Sequence, residues 1–196
     1  MTPEIRAFEY ALGLFAVLIG LAIADVATSL HRLLRSRHPV TWDPLALAAA
    51  FYALCLAIGM WFDLWGIRGF AETRHFFFYI WLVAMFFVLF LLAADSLPDE
   101  PGEGCDLRAH YAHNRPYFWT LVAIFQLAYL VDGLYFVGPH LMHLSPLHYL
   151  SLLNNLLVPL LIALVLRQAA SRSAHYLGVG LLLLSFALHY APYQIN

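Results

Sequence analysis

The sequence predicts an all-α, polytopic integral membrane protein with six transmembrane helices. Of its 196 residues, 63% are hydrophobic and only 11% are charged, whereas a soluble domain carries about a quarter charged residues. The mean hydropathy is +0.75, and apolar stretches long enough to cross a bilayer recur along the chain. Because no Gly/Ser linker and no polar segment long enough to fold alone interrupts them, we predict a single membrane-embedded domain over residues 1–196.

The six helices are placed by their start and stop signals, at about residues 5–34, 44–66, 74–95, 117–137, 146–167 and 173–191. The second, for example, begins with Asp43 as N-cap and Pro44 at the first helical position. Each helix is close to the roughly 20 residues that cross about 30 Å of hydrocarbon. The first span is expected to be retained, because the preceding residues lack a basic region followed by a cleavage site.

The polar loop of residues 96–115 is predicted to be an acidic cytoplasmic turn followed by a short interfacial helix. Asp106 is suited to cap that helix, and Leu107 and Tyr111 would then face lipid. A plain connector is the alternative.

The arginine distribution predicts the orientation. The loops after helices one, three and five hold seven arginines: Arg32, Arg35, Arg37, Arg108, Arg115, Arg167 and Arg172. The opposite side holds three: Arg6, Arg68 and Arg74. Because cytoplasmic loops are enriched in arginine, we predict a plasma (inner) membrane protein with both termini outside. The inverted orientation is the alternative.

Two kinds of pattern concern how the helices are arranged. The segments GLAIADVATSLH and QLAYLVDGLYFVGPH share an apolar run, a late aspartate and a histidine at the exit. This echo suggests a weak 3+3 inverted repeat of the kind found in transporters. Separately, Gly13, Gly20 and Ala24 form a small-residue stripe on helix one, which predicts close packing against another helix.

Asp25 is the candidate site residue on helix one. It lies seven residues before Arg32, roughly 10 Å inside the predicted cytoplasmic boundary. Asp25, Thr28, Ser29 and Arg32 recur at helical spacing and form one polar stripe. A charge inside hydrocarbon is costly, so Asp25 either accepts a proton or cation in a water-filled cytoplasmic cavity, or is a local cap satisfied by Ser29, Arg32 or another helix. We favour the cavity.

Four helices are predicted to bring ionisable groups to one outer layer: Glu9, Asp63, Asp132 and His189. Carboxylates held close together raise each other's pKa, which suits proton exchange. The alternative is that each group simply reaches the headgroup layer.

The predicted middle layer is polar but uncharged, and contains Gln126, Asn154 and Asn155. Pro159 cannot donate to the carbonyl of Asn155, so we predict that helix five bends or unwinds there. Such a break at mid-membrane would mark a site; an ordinary interhelical hydrogen bond is the alternative.

Several chemistries are excluded or disfavoured. All ten cations are arginine, so no lysine is present to form a Schiff base. The chain has no HExxH zinc motif, serine-nucleophile motif or nucleotide-binding motif. His140 and His143 could contribute to a metal site on the outer side, but zinc needs three or four converging ligands. We therefore expect no cofactor, with a metal at these histidines as the alternative.

Three functions remain open. The favoured one is a small channel or secondary transporter for protons or small cations, acting as a homo-oligomer in the lipid bilayer. Asp25 and Arg32 would serve the inner side and the other charged candidates the outer side. The second is a membrane-embedded binding or signalling subunit that works with a protein partner on the cytoplasmic side. The third is a metal-dependent membrane enzyme that uses histidine and carboxylate ligands. No nucleic-acid partner is expected, and the sequence favours a non-enzymatic role.

Overall fold

The structure, a computed structural model, describes residues 3–67, 76–99, 104–137 and 153–191. These residues form α1 (Pro3–Leu34), α2 (Pro44–Ile67), α3 (Phe76–Ser96), α4 (Leu107–Val137), a π-helical turn (Leu153–Leu157), α5 (Val158–Gln168) and α6 (Arg172–Tyr190). The described part contains no β-strand beyond one isolated bridge between Thr41 and Asp106. The all-α prediction is thus confirmed for the described residues.

Five of these helices are long and apolar enough to cross a membrane. Their apolar segments are Leu12–Leu34, Pro44–Trp65, Phe76–Ser96, Leu107–Phe136 and Arg172–Tyr190, and a shorter apolar helix covers Asn154–Gln168. The predicted start of helix five at Pro146 lies outside the described residues. The structure therefore supports a membrane protein with five to six such helices.

The chain divides into two compact units, residues 1–110 and 111–196. In the first unit, α1, α2 and α3 all pack against one another. Their shared core contains Phe15, Ala49, Phe86 and Leu89, all at most 1% exposed, and Phe15 stacks on Phe86 with ring centroids 5.1 Å apart. Apolar side chains at helical spacing thus hold the three helices together.

In the second unit, α5 and α6 pack against each other and against the π-helical turn. Gly178 on α6 lets Leu166 on α5 approach closely, because a Cβ at residue 178 would lie 2.8 Å from both terminal carbons of that leucine. Gly133 on α4 is covered in the same way by Leu156 of the π-helical turn. Small residues at these crossings allow close backbone approach.

The structure corrects the prediction for the small-residue stripe on α1. Gly13, Gly20 and Ala24 are exposed, and a Cβ built at either glycine meets nothing within 4 Å in the described part of the chain. The stripe therefore does not pack against α2 or α3. The face of α1 that packs carries Phe15, Ala22 and other larger apolar residues instead.

The start of α4 also differs from the prediction. The helix begins at Leu107 and continues through Pro116, so the predicted interfacial helix is the first part of one long helix. Asp106 does cap it, because its Oδ1 accepts hydrogen bonds from the backbone N–H groups of Arg108 and Ala109. Leu107 and Tyr111 are 0% and 7% exposed; they are buried in the protein and do not face lipid.

Candidate functional site

The polar end of the first unit is where α1 ends, α2 begins and α3 ends. Two backbone hydrogen bonds join the connecting segments there: Thr41 N–H donates to the Cys105 carbonyl at 2.9 Å, and Leu107 N–H donates to the Thr41 carbonyl at 3.1 Å. Asp43 occupies the predicted N-cap position of α2 and is 3% exposed. This end of the unit therefore carries a buried carboxylate directly before α2.

Asp25 lies within the apolar span of α1 and is half-buried. Its Oδ2 atom is buried and has no hydrogen-bond partner among the described residues. Ser29, one turn further along the same face, donates its hydroxyl to Asp99 Oδ1 at 3.3 Å. Arg32 donates from Nη1 to the Asp99 backbone carbonyl at 2.8 Å. Asp25 is thus not sealed by a direct hydrogen bond from Arg32.

Two further carboxylates belong to this end of the unit. Asp95, near the end of α3, also has a buried Oδ2 without a hydrogen-bond partner in the described part of the chain. Asp99 is exposed, and it acts electrostatically on Asp25 together with Arg32. A solvent-facing carboxylate, a buried serine hydroxyl and a half-buried carboxylate thus follow one another into the span.

The sequence reasoning missed Asp95 and Asp99 as members of this cluster. Asp99 lies 70 residues from Ser29 in the chain, and it falls in a loop that looked like a solvated turn. A usable signal was the position of Asp95 at the end of an otherwise apolar span. A carboxylate at that depth must find partners, water or a proton.

The predicted outer-layer residues are distributed over both units. The side chain of Glu9 lies outside the described residues. Asp63 on α2 and Asp132 on α4 are half-buried, and each has an interaction of its own. His189 on α6 is half-buried and contacts the ring of Tyr190, with centroids 4.6 Å apart. A single outer layer formed by these residues stays a prediction.

The predicted mid-membrane residues lie in the second unit at an irregular helical turn. Asn154 and Asn155 lie in the π-helical turn Leu153–Leu157, directly before the α-helix that contains Pro159. The predicted interruption of the regular helix is confirmed. The amide of Asn154 donates to Asn155 Oδ1 at 3.1 Å and to Ser185 Oγ at 3.2 Å. Gln126 on α4 is 4% exposed.

A buried chain of hydrogen bonds in the second unit was also missed. Trp119 Nε1–H donates to the Tyr111 hydroxyl at 3.0 Å, and that hydroxyl lies 2.7 Å from His175 Nδ1. His175 Nε2 lies 3.0 Å from the Ala169 carbonyl. A carbonyl can only accept, so Nε2 carries the proton and Tyr111 donates to Nδ1. This arrangement fixes a neutral histidine that is 1% exposed.

The tautomer and the burial indicate that this network holds helices together. It joins α4 to the start of α6 and to the segment between α5 and α6. The available signal was the i, i+8 spacing of Tyr111 and Trp119 on one helix face, but nothing in the sequence pointed to a histidine 64 residues away.

No metal centre is present in the part of the chain that the structure describes, which contains no group of three or more histidine, cysteine or acidic side chains arranged to hold an ion. The predicted metal ligands His140 and His143 lie outside the described residues. Both cysteines are free.

No protein-family model, curated protein or solved structure matches this chain. Its class therefore follows from its own features: it is a helical protein with apolar helices long enough to insert into a membrane, and with a carboxylate cluster at one end of its first unit.

Proposed function

We propose that this protein is a small membrane channel or secondary transporter that moves protons or small cations, with Asp25 as a proton-binding group. The observation that carries the proposal is the Oδ2 atom of Asp25, which is buried within the α1 span without a hydrogen-bond partner in the described part of the chain. A buried carboxylate is costly unless it is paired, hydrated or protonated. Such a group is suited to exchange a proton.

A short polar route connects Asp25 to the solvent. Asp99 is exposed, Ser29 donates to it, and Asp25 lies one helical turn from Ser29 on the same face. Asp95 is a second buried acceptor at this end.

The proposal includes the other predicted residues. Gln126, Asn154 and Asn155 would form its neutral middle, and Glu9, Asp63, Asp132 and His189 its outer part. Two features support this extension. π-Helical turns often occur at functional sites, and the division at residue 110 leaves α1, α2 and α3 in one unit and most of α4 with α5 and α6 in the other. Such a division is expected if the predicted 3+3 arrangement is correct.

The proposed location is the plasma (inner) membrane with both termini outside, on the basis of the arginine bias. Cys105 is a native reporter of this orientation, because it lies in the loop that we assign to the cytoplasm. An impermeant maleimide should label it only after intact cells are permeabilised. A cysteine introduced as Asn196→Cys should be labelled before permeabilisation, and the reverse pattern would invert the assignment.

Proton flux in proteoliposomes tests the function. The purified full-length chain is reconstituted with an internal pH-sensitive dye, and a potassium diffusion potential drives the flux. We expect flux from the chain alone and its loss in Asp25→Asn, which keeps the side-chain shape but cannot exchange a proton. Asp106→Asn is the matched control, since it removes one charge at the same end and asparagine still caps a helix.

The outcomes separate the three candidate functions. Wild-type flux that Asp25→Asn leaves unchanged would remove this residue from the route. Absence of flux together with a co-purifying protein would favour the binding or signalling subunit. Stoichiometric bound metal in elemental analysis would favour the enzyme. Light scattering on the detergent-solubilised protein tests the proposed homo-oligomer.

A further inference from the structure

The segment at the end of the α1 span and just beyond it forms an open basic groove. It has a volume of about 490 Å³ and is lined by six residues that lie close together in the chain: His31, Arg32, Arg35, Ser36, Arg37 and His38. Asp25 is not among these residues, although Arg32 belongs both to the groove and to the candidate site around Asp25. We call it the basic groove.

A turn centred on Ser36 shapes the basic groove. The helix closes with Arg35 N–H donating to the His31 carbonyl at 3.0 Å. The Ser36 hydroxyl then donates to the His38 carbonyl at 3.0 Å and accepts from the His38 N–H at 3.2 Å. These reciprocal bonds fold the segment back, so that side chains before and after Ser36 line one groove.

The basic residues of the groove differ in whether they already interact with other parts of the fold. His31 and Arg32 lie in the last helical turn, where positive charge complements the helix dipole, and Arg32 also bonds to the Asp99 carbonyl. Arg35 and Arg37 lie beyond the last turn and are exposed. Neither guanidinium group bonds to a residue in the described ranges of the chain. Two planar donor groups therefore remain available for an anion.

We propose that the basic groove binds the phosphate group of an anionic membrane lipid. Arginine donates two parallel hydrogen bonds to phosphate oxygens, and basic pockets beside membrane spans bind anionic headgroups. The depth fits, because the groove lies at the end of the Leu12–Leu34 span and extends just beyond it. The neighbouring Leu34 and Trp42 are 66% and 43% exposed, as expected of side chains that contact acyl chains and the interface.

The main competing occupant is the chain itself. Asp99 already lies beside Arg32, and Glu100 and Glu103 follow it in the sequence. Lipid is favoured because Asp99 presents its carbonyl, and not its carboxylate, to Arg32. This proposal requires that α1 crosses a membrane, but it does not depend on ion passage.

Lipid retention measured by native mass spectrometry tests the proposal. The full chain is released from nanodiscs that contain equal parts of phosphatidylcholine and phosphatidylglycerol with the same acyl chains. We expect wild-type protein to retain phosphatidylglycerol preferentially, and the double variant Arg35→Gln/Arg37→Gln to retain it roughly 30-fold less strongly. The matched control is Arg108→Gln/Arg167→Gln, which removes the same charge from exposed positions outside the groove and should keep the preference.

Three outcomes would overturn the proposal. Equal loss in both double variants would show only general charge attraction. Displacement of the lipid by added inorganic phosphate would identify a soluble phosphate as the occupant. A gain of phosphatidylglycerol in Glu100→Gln/Glu103→Gln would show that the chain's own carboxylates occupy the arginines. Unchanged retention in that variant supports lipid, whatever the flux measurement gives.

Discussion

The two units differ in how they treat buried polar atoms. In the first unit, Asp25 and Asp95 each bury a carboxylate oxygen without a hydrogen-bond partner among the described residues. In the second unit, both ring nitrogens of His175 have partners, and the Asn154 amide donates to two oxygens. Arg115 in that unit resembles the carboxylates, because its Nε is buried and unbonded in the described part.

The difference separates neutral groups from charged ones. A neutral hydrogen-bonded network stabilises the fold and gains nothing from titration, whereas a buried atom of a charged group without a partner costs free energy. Buried charged groups without a partner are therefore found more often at functional sites than at positions that only stabilise the fold. The contrast therefore supports the proposed role of Asp25 in proton exchange, and it is consistent with a structural role for the buried network of the second unit.

Some of the glycines show the same contrast. A Cβ built at Gly13 or Gly20 in the first unit meets no described atom within 4 Å, whereas Gly133 and Gly178 in the second unit are covered by leucine side chains; Gly180 in the second unit is open as well. Tight packing at Gly133 and Gly178 thus occurs in the same unit as the satisfied hydrogen bonds. The predictions below test both features, starting from the change with the largest expected effect.

Removal of the buried histidine should destabilise the protein most. His175→Ala leaves the Tyr111 hydroxyl and the Ala169 carbonyl without their partner and opens a cavity, so we expect a loss of about 3 kcal/mol in the free energy of unfolding. A titration with sodium dodecyl sulfate in mixed micelles, followed by circular dichroism, measures it. Tyr176→Phe, which removes an exposed bond to Arg172, should change stability by no more than about 0.5 kcal/mol. Equal stability of the two variants would contradict a structural role for the network.

Two neighbouring glycines on α6 test the packing. Gly178→Ala would place a Cβ 2.8 Å from two carbons of Leu166, which is 2% exposed and has little room to move. We expect a cost of about 2 kcal/mol. Gly180→Ala meets nothing within 4 Å and should gain up to about 1 kcal/mol from helix propensity. Effects of the same sign, measured in the same titration, would show that α5 and α6 are not closely packed.

In the first unit, removal of a buried charge is expected to raise the free energy of unfolding, in contrast to the His175→Ala substitution in the second unit. Asp25→Asn removes the charge of a carboxylate whose Oδ2 has no partner in the described chain, so the free energy of unfolding at neutral pH should rise by about 1 kcal/mol. A fall in stability, relative to wild type and to Asp106→Asn, would mean that the Asp25 carboxylate is paired. That result would weaken the contrast between the units, even if flux were also lost.

Local signals in the sequence were sufficient where a single segment decides the structure. Asp43 and Pro44 correctly mark the start of α2, and Pro159 correctly marks the irregular turn at Asn154 and Asn155. Contacts between distant segments were not predictable, because periodicity identifies a face but not its partner. Tyr111 was therefore assigned to lipid, although its hydroxyl bonds to His175.

The same limit applies to the candidate site. The position of Asp25 within an apolar span was evident from the sequence, and Ser29, Arg32 or another helix was expected to be its partner. Arg32 instead donates to the Asp99 carbonyl, and this bond depends on how the end of α3 meets α1. The depth of a charged residue can thus be read from the chain, but its partners require the fold.

The smallest effect concerns Cys105, which probes the polar end of the first unit from outside the spans. Burial, and then the negative charge of the neighbouring Asp106, raise the pKa of the Cys105 thiol. The thiolate is the reactive form, so a raised pKa lowers its fraction at neutral pH, and alkylation should be slower than for a free model thiol until the pH exceeds the raised pKa. Asp106→Asn removes the charge, lowers this pKa and should speed alkylation at neutral pH. The rate is followed by mass spectrometry in a Cys55→Ala background, although Cys55 is only 8% exposed. An unchanged rate in Asp106→Asn would mean that burial alone, and not the charge of Asp106, raises the pKa of this thiol.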